Sequence, residues 1–479
     1  MKKQIALIAL IFALFSINAS AQQVWTLEQC ISHALTNNLQ VKQQMLLVQS
    51  SEADLLQSKL DLLPGITGNA SHAYNYGQTV DRYTNQFATS RTQSNNFYIQ
   101  AGFTLFNGLQ KLNGIKQGQL DLMASQQDAD KLMNDMSINI ATFYLQALFY
   151  KELVRIRTNQ LDITNQQVDR MKKLVAAGTM APGDAYTIEA QFAVEESSLI
   201  EAENNLDISL LTLSQLLDLP TPVGFDIEVP ALAIEGDPSI VANPDQIFTY
   251  AQEHMPEIKA AEYRLKSSEK QLARARGAYY PSLMLSGSWG TGYSGASQIQ
   301  DQAFPGEPYL IGYAINPEGS TYYDVYANSL EYTYKTKSWD DQINDNNNQT
   351  VGLYLTIPIL NGWQSRTLVS KSKISLDNSR LEYELQKVQL RKTIQQAWAD
   401  ARAALKQYYA AERKVNATRE SFRYAEQKFE VGIMNSVDYN NAKKDLSNSE
   451  SEQLQTKFDF IFKTTVLDFY MGKPLSLKR

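Results

Sequence analysis

Apolar positions recur along this chain with two different periods. Four stretches alternate apolar with small or polar side chains, the two-residue period of a strand. The first carries Ile66, Gly68, Ala70, His72 and Tyr74 on one face, and the second Phe97, Ile99, Ala101, Phe103 and Leu105. The third carries Leu283, Leu285, Gly287 and Trp289, the fourth Val351, Leu353, Leu355, Ile357 and Ile359. Each is about ten residues long, the ~9–11 that a tilted strand needs to cross a bilayer. One apolar and one polar face suit lipid outside and water inside. The connections 77–96 and 294–348 are long and rich in Tyr, Asn, Ser, Gly and Asp, like the outer loops of a barrel. Four strands cannot close a barrel alone, because open edges would leave backbone groups unsatisfied in lipid. Closure requires several copies: two would supply eight strands, three would supply twelve.

Between these strands lies helix. No proline occurs between Pro64 and Pro182, nor between Pro358 and Pro474, so nothing there breaks a long helix. Residues 108–178 would form one rod of roughly 105 Å at 1.5 Å per residue. Leu161, Val168 and Val175 with Met171 form a heptad seam on it, matched by Val415, Phe422 and Phe429 with Ala425 on a second rod. Gly178 and Gly432 end the rods, and Asp184 and Ser436-Val437-Asp438 mark the starts of returning helices.

The two sets of elements are copies of one another. Ala34 to Val41 resembles Ala251 to Ile258, and Pro64 pairs with Pro281, both at an offset of 217 residues. Leu105-Phe106-Asn107-Gly108 matches Ile359-Leu360-Asn361-Gly362 at an offset of 254, which Gly178 and Gly432, Asp184 and Asp438, and Pro220 and Pro474 all keep. The difference, 254 − 217 = 37 residues, is one insertion between 282 and 349. The first repeat, 22–220, therefore reads as helix 25–63, strands 64–77 and 96–107, long helix 108–178 and return helix 183–218. The second, 243–474, reads as helix 243–280, strands 281–293 and 349–359, long helix 362–432 and return helix 436–472. A linker at 219–243 joins them, and a tail of 474–479 follows.

The first 21 residues are expected to be removed. Lys2 and Lys3 precede an apolar run from Ile5 to Ile17, and Ala19-Ser20-Ala21 is a cleavage signal. Losing two lysines moves the formal net charge from −7 to −9. That acidity argues against a nucleic-acid partner. One cysteine, Cys30, and three scattered histidines argue against a disulfide framework and a metal centre. Gly290-Thr-Gly292-Tyr-Ser-Gly295 follows a strand but opens no helix, so it is not a dinucleotide fingerprint. No nucleophile or acid–base pair stands out, and neither enzyme activity nor a cofactor is expected.

The duplicated helix–strand–strand–helix order resembles the TolC-like outer membrane efflux proteins. So do the turns Leu105-Phe106-Asn107-Gly108 and Pro358-Ile359-Leu360-Asn361-Gly362, and the tip Val431-Gly432-Ile433-Met434-Asn435-Ser436-Val437-Asp438. The resemblance covers nearly the whole mature chain. It implies a mainly α fold with a transmembrane β part: a homotrimer whose four strands per chain build a shared twelve-stranded barrel in outer-membrane lipid. Long coiled-coil helices would form a periplasmic α-barrel, with 219–243 and the tail in a band around its middle.

The function implied is the exit duct of a tripartite efflux or type I secretion system, docked through a periplasmic adaptor protein to an inner-membrane pump. Gate candidates carried over are Asp438, Asn441 where a second acid is common, Met434 where a basic tether can stand, and Asp184 in the first repeat. Gly178, Thr179, Met180, Gly432 and Ile433 are the candidates for adaptor docking. Two other classes fit less well. A passive outer-membrane porin would be dominated by strands, and an exported coiled-coil adhesin or structural fibre would lack the alternating ones.

Overall fold

The computed structural model of the chain describes residues 24–88, 91–220, 224–230 and 243–476. The expected signal peptide and most of the 219–243 linker lie outside the described residues, as does the end of the tail. The chain divides into two compact units, one built from 24–53, 118–268 and 375–476, the other from 54–117 and 269–374.

The first unit is helical. Its main elements are α3 (Gln110–Ala176, from 118 onward) and α4 (Pro182–Leu216) from the first repeat, and α8 (Gln364–Glu430, from 375 onward) and α9 (Ser436–Tyr470) from the second. The long pair are 67 residues each and the returning pair 35 each, so the two halves agree residue for residue. The leading helix of each half is divided. In place of one helix over 25–63 there are α1 (Leu27–Asn37) and α2 (Leu39–Leu60), and in place of 243–280 there are α5 (Pro244–His254) and α6 (Pro256–Arg276).

The breaks fall at Asn38 and Met255, both with extended backbone and again 217 residues apart. Met255 precedes Pro256, which disfavours helical backbone in the residue before it. Asn38 has no proline behind it. Its side chain instead accepts from Gln40 N (2.8 Å) and donates to Leu216 O (3.1 Å), capping the new helix and tying it to α4.

Apolar cores hold these helices together. Cys30, Ala34, Ile140, Leu148 and Leu213 are wholly buried in one, and Ile247, Ala251, Ile258 and Ile394 in its counterpart. Tyr144 fastens a small band to α3. Its hydroxyl shares its proton between Glu228 O (2.9 Å) and Trp25 O (3.1 Å), at the ends of two short parallel strands, β1 (Val24–Trp25) and β6 (Asp226–Ile227), Glu228 following the second. Lys151 secures β6 through Asp226 (2.6 Å) and Ile227 O (2.9 Å).

The second unit is built on an antiparallel sheet of four strands in the order β12 (Asn348–Thr356), β7 (Ser282–Ser294), β5 (Thr92–Asn107), β2 (Gly65–Asn75). A minor pair, β3 (Thr79–Val80) and β4 (Phe87–Ala88), lies between β2 and β5 in sequence. The register aligns the apolar positions across all four. Val351 lies opposite Gly287, Gly287 opposite Ala101 and Ala101 opposite Ile66, while Leu353, Leu285 and Phe103 form the next row. The small and polar rows, such as Thr350–Ser288–Gln100–Thr67, occupy the other face. The last strand stops at Thr356 rather than 359 because Pro358 cannot supply a ladder N–H. Among the described residues no helix is long and apolar enough to cross a membrane.

The connection 294–348, expected as a polar loop, is instead largely strand. Its segments β8 (Gln298–Pro305), β9 (Tyr309–Ile315), β10 (Tyr322–Ala327) and β11 (Leu330–Thr336) pair β8 with β11 and β9 with β10, and a short helix α7 (Trp339–Asp345) follows. Gln342 of α7 is buried and grips the end of β7, accepting from Ser294 N (2.8 Å) and donating to Ser294 O (3.0 Å).

Burial pushes the Cys30 thiol up from 9.0 to about 12. The folded chain therefore keeps this proton where the unfolded chain loses it. The stability it contributes is intact below pH 9.0 and is lost as the pH rises towards about 12. Maleimide is expected to leave Cys30 unlabelled in the native protein and to label it fully on denaturation. Labelling of the native state at neutral pH would contradict this burial.

Candidate functional site

The residues singled out at the ends of the rods lie in two helix-to-helix turns of the helical unit. Gly178 and Gly432 hold φ +73° and +75°, left-handed values that favour glycine just past a helix C-terminus. Their N–H groups donate to Val175 O (2.9 Å) and Phe429 O (3.1 Å), and the next residues, Thr179 and Ile433, reach back to Leu174 O (3.0 Å) and Lys428 O (2.9 Å). Gly178, Thr179, Gly432 and Ile433 are exposed, and Met180 and Met434 are half-buried.

The start of α9 is capped twice. Asn435 accepts from Asp438 N (2.8 Å), and its amide donates to the Asp438 carboxylate (2.9 Å). Asp438 and Asn441 are otherwise exposed. Asp184, in the first turn of α4, accepts from the hydroxyl of Ser436 (2.8 Å) and so joins the two hairpins. The structure thus brings Asp184 to the start of α9 but gives Asn441 no such contact.

Above the turns the hairpins meet in a layer that the sequence reading did not single out. A cavity of about 290 Å³ is lined by Gln167, Met171, Met180, Ile188, Phe429 and Tyr439. The Tyr439 ring stacks on Phe429 (4.5 Å between centroids), and burial, then the nearby Glu426, push its hydroxyl up to about 12. One turn further on, Lys443 is 3% exposed. Its ammonium donates to Thr164 of α3 and lies 3.5 Å from Glu195 of α4. Thr164 in turn donates to Glu195, which also accepts from Gln191 (2.9 Å). Burial pulls the Lys443 ammonium below its usual range, and Glu195 opposes that shift.

The buried side of α9 here is Ser436, Tyr439, Asn440, Lys443 and Ser447, at core spacings of three and four residues but with no aliphatic side chain. That spacing was the signal available in the sequence. Among the described residues five buried side-chain polar atoms lack a partner. Three of them, Gln160 Nε2 and Gln167 Oε1 of α3 and Asn440 Oδ1 of α9, lie on the helices of this layer.

The three histidines serve packing. His33 meets Trp25 edge-on (5.2 Å), His254 stacks on Tyr250 (4.2 Å) and His72 meets Tyr74 (4.9 Å). The glycine-rich stretch 290–295 continues strand β7, and no metal-holding cluster occurs among the described residues.

A family model described as outer membrane efflux protein matches residues 30–218 and 249–461, which is both repeats. The chain belongs to this family. Among its relatives is the outer membrane efflux protein BepC of Brucella suis, 21% identical over 91% of this chain and 83% of its own length. The proteases secretion protein PrtF of Dickeya chrysanthemi is 20% identical over 93% of this chain and 89% of its own. The fold is that of the Vibrio cholerae outer membrane protein VceC, with a TM-score of 0.70 at 14% identity over 94% of this chain and 96% of that one. As a member of the outer membrane efflux protein family, the chain is an outer membrane channel for efflux or secretion that extends into the periplasm. Members of the family are homotrimeric channels, the outer membrane components of tripartite systems, and are not enzymes.

Removing one partner of a buried ion pair strands the other charge, at a cost of about 3–5 kcal/mol. Lys443→Ala and Glu195→Ala are each expected to lower the heat stability of the solubilised protein strongly. The double substitution Lys443→Met with Glu195→Met should restore most of it. Losses that simply add in the double variant would show that the two groups do not act as a pair.

Proposed function

We propose that this chain forms a homotrimeric, gated exit duct of a tripartite efflux or type I secretion system. The carrying observation is the four-stranded sheet, apolar on one face and open at both edges, β12 and β2. Three copies placed edge to edge supply twelve strands and leave no free edge. A second observation supports the same assembly. Leu381, Leu385 and Val388 of α8 repeat at four and three residues, the spacing of a coiled-coil seam, yet are 63–70% exposed in the single chain. Another copy's helices would cover them.

In this reading the helix turns form the periplasmic end. Threefold symmetry brings three exposed Asp438 carboxylates around one axis, with Asn441, Met434 and Asp184 beside them. The gate is then less acidic than one with two rings, and it carries no basic tether at Met434. Its closed form is held by the Ser436–Asp184 hydrogen bond and the Lys443 layer, both of which join one hairpin to the other. The exposed residues Gly178, Thr179, Gly432 and Ile433, with the half-buried Met180, form the surface for a periplasmic adaptor, through which an inner-membrane pump is engaged. The repeats 22–220 and 243–474 act as equal halves, with 219–243 as a band between them. A secretion role is supported by the similarity to PrtF, a proteases secretion protein, and an efflux role by that to BepC, an outer membrane efflux protein.

Planar-bilayer recordings of the purified protein test this reading. The mature net charge of −9 favours cations in the lumen, so reversal potentials under a salt gradient should be cation-selective. Conductance should be small, as for a closed gate. Asp438→Asn should weaken both the selectivity and block by multivalent cations. Chloride-favouring potentials, large porin-like conductance, or an Asp438→Asn channel identical to the parent would refute it.

A further inference from the structure

The 37-residue insertion builds something the barrel does not need. From Gln298 to Thr336 the chain runs out and back as one two-stranded ribbon, β8–β9 outward and β10–β11 returning. It continues through a bend at Gly306, whose N–H donates to Ser329 O (2.9 Å). Nearly every residue of these strands is exposed. Its outer half, β9–β10, is nevertheless apolar on both sides. Tyr309, Ile311, Tyr313 and Ile315 line one face, each 56–64% exposed, and Tyr323 and Tyr326 lie on the other. An isolated two-stranded ribbon is marginally stable in water, and exposed apolar strands with open edges are templates for further pairing. Such a surface needs an occupant.

The attachment of the ribbon identifies one. It leaves the sheet between β7 and β12, and β12 is the open edge at which the next copy must join. The ribbons of three copies are therefore delivered to the same mouth of the barrel, at the high effective concentration that tethering provides. Charge disfavours the other nearby surface. No lysine or arginine occurs between Gly277 and Tyr334, while Glu318 and Asp324 lie in the outer half, so the outer half offers no cation to anionic lipid head groups; Lys335, at the base of the ribbon, is paired with Asp301 (2.6 Å). Tyrosines give large, rigid contact areas at low entropic cost.

We propose that the β9–β10 ribbon packs against the same ribbon of the other two copies, joining the three chains outside the membrane as a second interface beyond the barrel. This rests on the trimeric reading above and goes beyond it, because the barrel seam alone would make the trimer.

The test is photo-crosslinking in intact outer membranes, with p-benzoylphenylalanine in place of Tyr313 of the full chain. Illumination should yield dimers and trimers of this chain, with the crosslink mapping to residues 298–336 of another copy. Ile311→Asp combined with Tyr313→Asp should lower by several degrees the temperature at which the solubilised trimer dissociates. Deletion of 306–329 should do the same. A trimer of unchanged mass and dissociation temperature, with Tyr313 crosslinked to lipid, lipopolysaccharide, another protein or nothing, would overturn the ribbon interface and leave the trimer standing. A solubilised parent protein that is not a trimer would overturn the trimeric reading, and this proposal with it.

Discussion

An unpaired backbone amide in hydrocarbon costs several kcal/mol, and the sheet β12–β7–β5–β2 ends in two rows of such groups. No rearrangement within one chain closes that sheet, since four strands are too few to curl into a barrel. The apolar rows that run unbroken from Val351 to Ile66 place one face of the sheet in lipid, which makes the open edges more costly still. Oligomerisation is therefore a condition for the chain to occupy its membrane at all. The heptad positions left bare on α8 carry the same requirement into the helical unit.

Stability is distributed unevenly in that unit. Around Cys30, Tyr144, Leu148 and Leu213 the helices share a continuous apolar core, and Tyr144 and Lys151 bind the short band of β1 and β6 to it. Towards the turns the fully apolar contacts shrink to a small group around Val168, Met171 and Ile188. The joint is carried there by Tyr439, Lys443, Thr164 and Glu195. A buried ion pair stabilises little compared with an aliphatic core of the same volume, but it fixes one partner and one register. On the proposed reading, in which the channel opens at this end, a joint of that kind is an advantage. It is specific when closed, and each charge can be rehydrated when the hairpins part. Elements that move are drawn from the less stable parts of a fold, and the unsatisfied Gln160, Gln167 and Asn440 atoms belong to such a part.

Much of this was legible in the sequence, for physical reasons that can be stated residue by residue. Two-residue alternation gave the four membrane strands because each has one lipid face and one wet face. Proline gaps and the glycines at 178 and 432 gave the long helices and their turns. Met255 is a break that Pro256 announces, although the expected helix 243–280 ran through it; Asn38 is not announced, because its side chain is tied to a carbonyl of α4 that is distant in sequence. The insertion was misjudged as loop for a related reason. Residues 309–315 carry apolar side chains on both faces, so no alternation marks them as strand. The pairing of Lys443 with Glu195 and Thr164 was also hidden. Heptad spacing shows that position 443 is buried, but not which helices close over it. The roles of Asp438 and Asp184 came from the resemblance, and the geometry adds that both carboxylates already serve the start of α9.

The central claim is that other copies of this chain complete the hydrogen bonding of the sheet's two edges. Amide hydrogen exchange on the solubilised assembly tests it most directly, read at those amides of β2 and β12 that point away from the sheet. If the copies close the barrel, these amides will be as strongly protected as those of the central strands β5 and β7. Rapid exchange along either edge, with the centre protected, would contradict the account.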